Sequence, residues 1–345
     1  MDEGLLSRLV STPGVSGREE RIRDLVAKEI ADIVDEVTID RLGNVLGTRK
    51  GTGSRVMLCA HMDSIGFLVS HIDDKGYLRI SPVGGFDPRT LVAQRVLVLG
   101  KNDYVGLLGP AAKPIHLLSQ DERNRVPKLE EFFVDVMLPP EEVNENVSVG
   151  DPVALLREPL ITEQGVTAPY LDDRLGVYIL VETLRQTAEV GAEVYAVISV
   201  QEEVGLRGAA TSAFGVEPDL GVALDVAVAA DLPGSDGGQP TARLGEGACI
   251  GVMDASSISD PRLVQTFRDV ARSNDITHQL EVTRHGGTDA AAIQLSRAGV
   301  PVITISTPVR YLHTANEMAL TTDIKATVDL MSTFLRAVEG LDLQW

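Results

Sequence analysis

An apolar run, Val56-Met-Leu-Cys-Ala-His-Met-Asp63, ends in a histidine and an aspartate two residues apart. Side chains alternate faces along a strand, so His61 and Asp63 can point the same way, and a metal-ligating imidazole needs a carboxylate or carbonyl behind it to fix its tautomer. In isolation, the commoner meaning of such a pair is a satisfied core histidine beside a helix-capping acid. Cys59 shares the parity and is a soft ligand by type, but a small thiol inside an apolar strand reads more simply as core.

Four further places put ligand-type residues at or just after apolar runs. Asp172 and Asp173 precede a helical pattern and, taken alone, are an N-cap and a first-turn acid. Tyr195-Ala-Val-Ile-Ser-Val-Gln-Glu-Glu-Val-Gly205 ends in Glu202-Glu203. Two like charges at the end of a core strand raise each other's pKa unless solvent or a cation relieves them. Adjacent side chains also diverge, so one could ligate a metal while the other acts on water. Leu220–Asp225 is another apolar run closed by a carboxylate, and Tyr311-Leu-His-Thr-Ala-Asn-Glu317, with His313, follows the run Val302–Ser306. Carboxylates and histidines gathered from separate strand ends suit a pair of borderline cations, whereas Cys-rich zinc spacing is absent. So are the H-E-x-x-H, G-x-S-x-G, P-loop and dinucleotide-binding patterns.

The elements that must position these residues follow from periodicity. Ser16-Gly-Arg-Glu19 has the form of a capping box, and Ile22, Leu25, Val26 and Ile30 predict a helix over about 17–34. Strands follow at Glu36–Ile39, Asn44–Thr48 and Arg55–Ala60. From about Phe67 to Arg157 the chain becomes short strands between turn signals such as Val83-Gly-Gly85 and Pro139-Pro140. Thereafter helix and strand alternate: helices over 173–187, near Ala209, and over 260–273, 289–297 and 322–339; strands over 193–200, 220–225, 279–282 and 302–306. The expected fold class is α/β, a three-layer domain from 1–66 and 158–345 with a small all-β domain, 67–157, inserted.

The 345 residues, 44% hydrophobic and 23% charged, describe an ordinary globular protein. A net charge of −19 argues against nucleic acid and anionic lipid as partners. The N-terminus shows no basic-then-apolar leader and no run reaches the ~18 apolar residues of a membrane span, so the expected address is the cytoplasm. Two cysteines, Cys59 and Cys249, build no disulfide framework, and Asn146-Val-Ser148 is an incidental sequon in that compartment.

The segments Ala60-His-Met-Asp-Ser-Ile-Gly-Phe67, Leu171-Asp-Asp-Arg174, Val200-Gln-Glu-Glu-Val-Gly-Leu-Arg-Gly-Ala209, Ala223-Leu-Asp225, Gly286-Gly-Thr-Asp-Ala290 and Leu312-His-Thr314 resemble, in order and over nearly the whole chain, the M42 metalloaminopeptidases of the TET type. The resemblance implies two divalent ions per subunit, zinc or cobalt. His61 and Asp225 would bind one, Glu203 and His313 the other, and Asp172 would bridge them, leaving Asp173 as a neighbour. It assigns Glu202 as general base and Asp63 as the partner that orients His61, and places Gly286–Ala290 near the substrate. It implies peptides with a free N-terminus as substrates, and a homo-oligomer, a hollow dodecamer assembled through the inserted β domain. The rivals are a related dipeptidase or deacylase, a metal-free glycosidase using two carboxylates, and a non-catalytic assembly protein that keeps its metals for structure.

Overall fold

The computed structural model describes residues 1–111, 113–234 and 242–338. After two helices, α1 (Glu3–Ser11) and α2 (Glu20–Ile30), come β1 (Glu36–Ile39), β2 (Val45–Arg49) and β3 (Arg55–His61). Next are β4 (Gly66–Ile72), β5 (Leu78–Val83), β6 (Gln94–Leu99), β7 (Asp103–Pro110), α3 (Gln120–Asn124), β8 (Phe132–Asp135), α4 (Pro140–Asn146) and β9 (Pro152–Leu155). The chain continues through β10 (Leu160–Ile161), β11 (Gly165–Ala168), α5 (Leu171–Gln186), β12 (Glu193–Ser199), α6 (Arg207–Val216), β13 (Leu220–Val228) and β14 (Ala248–Met253). It ends in α7 (Pro261–Ser273), β15 (His278–Val282), α8 (Asp289–Gln294), β16 (Val302–Val309), β17 (Glu317–Leu320) and α9 (Thr321–Ala337).

Eight strands form one sheet in the order β1-β2-β12-β3-β13-β16-β14-β15. At its centre β12, β3, β13 and β16 run parallel. Such strands are covered on both faces and read as continuous apolar runs, which is why Val56–Ala60 is buried throughout. One face packs on α5, α7 and α9 through a large core that includes Leu58, Leu224, Ile250, Ile305, Phe267 and Phe334. The other packs on α6 and α8 through Met57, Cys59, Ala223, Ala209 and Ile293. The parallel strands therefore deliver His61, Asp225 and the residues after Ser199 to one edge of the sheet, where open α/β sheets build their sites.

Strands β4, β5, β8, β7, β6 and β9 close a barrel, filled by Phe67, Val69, Leu78, Val96, Val98 and Phe132. A third, three-stranded sheet, β10-β11-β17, ties the segment before α5 to the segment before α9. Among the described residues no helix is long and apolar enough to cross a membrane.

The structure departs from the periodicity in several places. The expected capping box is absent: Glu19 occupies the N-cap of α2 without a side-chain cap bond. Ser16 Oγ donates instead to Asp63 Oδ2 at 2.6 Å, while Glu19 Oε1 accepts from the backbone N–H groups of Gly17 and Gln201. A fully buried carboxylate must gather donors, and that demand outweighs one helix cap. Periodicity marks neither helix α1, capped by Asp2, nor strands β10, β11, β14 and β17. Helix α8 stops at Gln294, short of the expected Arg297, and β13 continues past Asp225 to Val228. Glu339, the expected end of the last helix, lies outside the described residues.

Candidate metal centre

His61 ends β3 and is buried. Its Nδ1 lies 3.2 Å from the backbone oxygen of Asp63, whereas the Asp63 carboxylate is 3.6 Å away. That carboxylate does more for the chain beyond β12. Its Oδ1 accepts from Glu202 N at 3.0 Å and its Oδ2 from Glu203 N at 3.2 Å. Asp63 thus fixes the turn that carries both glutamates, with Gln201 in left-handed backbone at φ 56°.

Asp172 opens α5 in extended backbone, at φ −80° and ψ 108°, so its carboxylate faces out of the helix end rather than capping it. Its Oδ1 lies 3.0 Å from His61 Nε2 and its Oδ2 3.1 Å from His313 Nε2. His313, at φ 59° in the loop after β16, holds its Nδ1 3.0 Å from the backbone oxygen of Gly85. Glu203 Oε1 is 3.6 Å from His313 Nε2, is buried, and has no hydrogen-bond partner. Glu202 Oε2 stands 3.8 Å from His61 Nε2. Asp225 lies in β13, with one oxygen accepting from Val226 N.

Two sets of ligand-type atoms converge to within 4.8 Å: His61, Asp173 and Asp225, and Asp172, Glu203 and His313. These sets hold the five ligands named from the sequence, His61, Asp172, Glu203, Asp225 and His313, and Asp173 joins them. Both Asp173 oxygens accept backbone bonds, from His61 N at 3.1 Å and Gly176 N at 2.9 Å, which anchors the strand end to the helix start. Cys59 stands apart, with Sγ 3.2 Å from Asp289 Oδ2.

The donor set fits divalent cations. Each imidazole faces a carbonyl oxygen through Nδ1, which holds a proton there and leaves Nε2 for a metal or a second proton. Each Nε2 faces a carboxylate oxygen of Asp172 at 3.0–3.1 Å, where a proton bridges the two atoms until a cation displaces it. Such a spacing is close to the edge of about 3.3 Å between ligands of a tetrahedral ion with bonds of about 2.05 Å. Electrostatics agrees. Burial pushes the Asp225 carboxyl well up, and the charge of Asp172 adds to it. Burial likewise pushes Glu202 well up, reinforced by Asp225 and Asp289, and raises Glu203 to about 7, reinforced by Asp172. Burial opposes the imidazolium of His61, yet Glu202, Asp172 and Asp63 raise it well above the usual range; His313 is lifted to about 9 in the same way, chiefly by Asp172. Asp172 stays ionised against its burial because both imidazoles face it. An excess of crowded carboxylates is what bound cations relieve.

Two contributors had only a faint signal in the sequence. Glu317, buried, accepts from Asp172 N at 3.0 Å and His313 N at 2.7 Å, so one carboxylate positions two ligand-type residues. Gly84, at φ +82°, brings the barrel's β5 loop against the centre: a Cβ there would lie 2.5 Å from Ile65 Cγ2 and 3.3 Å from Glu203 Oε2. The turn signal at Val83-Gly-Gly85 marked the turn but not its neighbour.

Comparison with known proteins agrees with this geometry. The sequence profile of the M42 glutamyl aminopeptidase family matches residues 43–330. The lysyl aminopeptidase of Pyrococcus furiosus is 37% identical, over 99% of each chain. Among solved structures, an aminopeptidase from Desulfurococcus kamchatkensis superposes with a TM-score of 0.91 at 37% identity, covering 99% of this chain and 98% of its own. The TET1 peptidase of Pyrococcus horikoshii, which can assemble into a tetrahedron or a large octahedral shell, gives 0.87 at 32% identity, covering 96% and 98%. With strand-end histidines and carboxylates converging as described, and with matches spanning nearly its whole length, the chain belongs to the M42 family of aminopeptidases.

Proposed function

We propose that the protein removes residues one at a time from the free N-terminus of peptides, using two divalent ions, zinc or cobalt. His61 and Asp225 would hold one ion and Glu203 and His313 the other, with Asp172 shared between them. The observation that carries this reading is the placement of two Nε2 atoms against opposite oxygens of one carboxylate, at 3.0 and 3.1 Å. Bound there, the ions supply Lewis acidity, easing deprotonation of water and offsetting charge that develops on the scissile carbonyl. Glu202 takes the proton of the attacking water on its carboxylate and passes it to the leaving amine. Asp63 holds the backbone of both glutamates, and its carbonyl orients His61. The surplus of carboxylates holds a protonated substrate amine and repels a substrate carboxylate, favouring aminopeptidase over carboxypeptidase action.

In the same reading, 1–66 with 158–345 is the catalytic domain and 67–157 an inserted assembly domain. The likeness to a peptidase that builds closed shells supports a homo-oligomer, taken here as a dodecamer in the cytoplasm. Relatives are named for lysyl and for glutamyl residues, so family membership leaves the preferred side chain open.

The test is one peptide in free and N-acetylated forms, incubated with the metal-loaded protein and followed by mass spectrometry. A ladder from the N-terminus of the free form alone, abolished by chelator, is expected. Cleavage of the acetylated form at an equal rate, or loss of C-terminal residues, would refute the aminopeptidase assignment.

A further inference from the structure

The cavity over the metal centre, of about 630 Å³, extends from His61, Asp172 and Asp225 across the face of the main sheet to Gly251, Glu281 and Thr304. Strand register sets Thr304 of β16 opposite Gly251 of β14, and Gly251 opposite Glu281 of β15. Paired residues present their side chains to the same face, so Gly251 leaves a gap between a hydroxyl and a carboxylate. The backbone is close there: a Cβ on Gly251 would sit 3.0 Å from the Thr304 carbonyl oxygen.

Glu281 breaks the pattern of its strand. β15 is the edge of the sheet, and its neighbours Leu280 and Val282 are 45% and 59% exposed, while the carboxylate between them turns into the cavity. A strand arranged for burial alone would face the other way, since a one-residue shift exchanges the faces. Among the described residues no cation answers this carboxylate; the charge acting on it is that of Asp254. Asp254 accepts from the backbone N–H groups and hydroxyls of Ser256 and Ser257, which fixes its carboxylate at the cavity wall. His285 lines the same cavity but is exposed, whereas Glu281 is half-buried.

Asp225 on β13 stands three strand spacings from Glu281 on β15 and, by register, two residues away along the strands, roughly 16 Å in all. Both line the one cavity, so a substrate side chain that starts at the metal centre runs across the sheet face towards Glu281.

We propose that Glu281 is the specificity-determining residue of the peptidase, and that the cavity takes a cationic N-terminal side chain, lysyl or arginyl. Its aliphatic stem lies over Gly251 and its charge meets the Glu281 carboxylate. A half-buried carboxylate without a partner costs stability, and a cationic ligand offsets that cost. Burial, then the charge of Asp254, lifts the Glu281 carboxyl to about 7, so near neutral pH its ionised form gains from such a ligand.

This inference rests on the aminopeptidase reading for its turnover arm only. Metal-loaded wild type, Glu281→Gln and Glu281→Lys are assayed on lysyl, arginyl, norleucyl and glutamyl amides, and lysinamide and norleucinamide binding is measured by calorimetry. Norleucine keeps the stem and lacks only the ammonium. Expected are a kcat/KM at least tenfold higher for lysyl than for norleucyl in wild type, loss of that ratio in Glu281→Gln with norleucyl turnover unchanged, and a gain for glutamyl in Glu281→Lys. Turnover that is equal for lysyl and norleucyl, or a ratio retained in Glu281→Gln, overturns the inference while the aminopeptidase reading stands. If no amide is cleaved, the aminopeptidase reading fails, and calorimetry decides this one: a tenfold lysinamide preference that Glu281→Gln removes upholds it, and equal binding overturns it.

Discussion

Replacing Glu202 by Gln separates metal binding from proton transfer. The amide keeps the shape of the side chain, and the Glu202 N–H bond to Asp63 Oδ1 at 3.0 Å belongs to the backbone and survives. Glu202 Oε2 is 3.8 Å from His61 Nε2, against 3.0–3.1 Å for the Asp172 oxygens, and Glu202 is in neither convergent set of ligand atoms. Both ions should therefore stay. An amide cannot accept the proton of water, and loss of a positioned general base costs about 10²–10⁴ in rate, or roughly 3–5 kcal/mol in the barrier. The assay is kcat/KM on an aminoacyl amide alongside elemental analysis of the same preparation, with Glu203→Gln in parallel. Glu203→Gln should lose metal affinity, because Oε1 of Glu203 is buried without a partner beside His313. A Glu202→Gln protein with activity within tenfold of wild type, or one that has shed its metal while Glu203→Gln keeps it, would refute the division of roles.

Gly84→Ala forces a side chain into φ +82° and to 2.5 Å from Ile65 Cγ2; a loss of about 1–3 kcal/mol in thermal or denaturant unfolding is expected, with turnover reduced through the displaced Glu203. The Glu281 carboxyl, at about 7 in the folded chain against its ordinary 4.5, favours the folded state below pH 4.5 relative to alkaline pH and withdraws that contribution as pH rises through about 7. Glu281→Gln should thus match wild type in unfolding free energy near pH 4.5 and exceed it at pH 8, by at most about 3 kcal/mol. Static light scattering of the intact protein should give a twelve-chain particle, and deletion of 67–157 a smaller one; a monomeric intact protein would remove the assembly role.

What the sequence shows and what it hides divide along physical lines. The central parallel strands are buried on both faces, so Val56–Ala60, Val194–Ile198 and Leu220–Leu224 read as unbroken apolar runs, and the ionisable residues at or just beyond their ends stand out. Glu202-Glu203 is legible because two adjacent carboxylates rarely close a core strand without a function. Ser16 has the local pattern of a helix cap, but its partner, Asp63, is 47 residues away, and local patterns carry no long-range bonds. Glu317 looks like any loop acid until β17 pairs with β11 and turns it towards Asp172 N. Strand β14 is short and interrupted by Gly251, so its alternation is weak; only the sheet shows that this glycine opens the cavity between Thr304 and Glu281.

Metal stoichiometry of Asp172→Ala tests the central claim most directly. After chelation and reloading with zinc or cobalt, elemental analysis of wild type should return two ions per chain. Because Asp172 offers one oxygen towards His61 and the other towards His313, its removal should weaken both sites together and leave less than one ion per chain at loading concentrations that saturate wild type. Wild type that binds a single ion, or an Asp172→Ala protein that retains two, would contradict a centre bridged by this carboxylate.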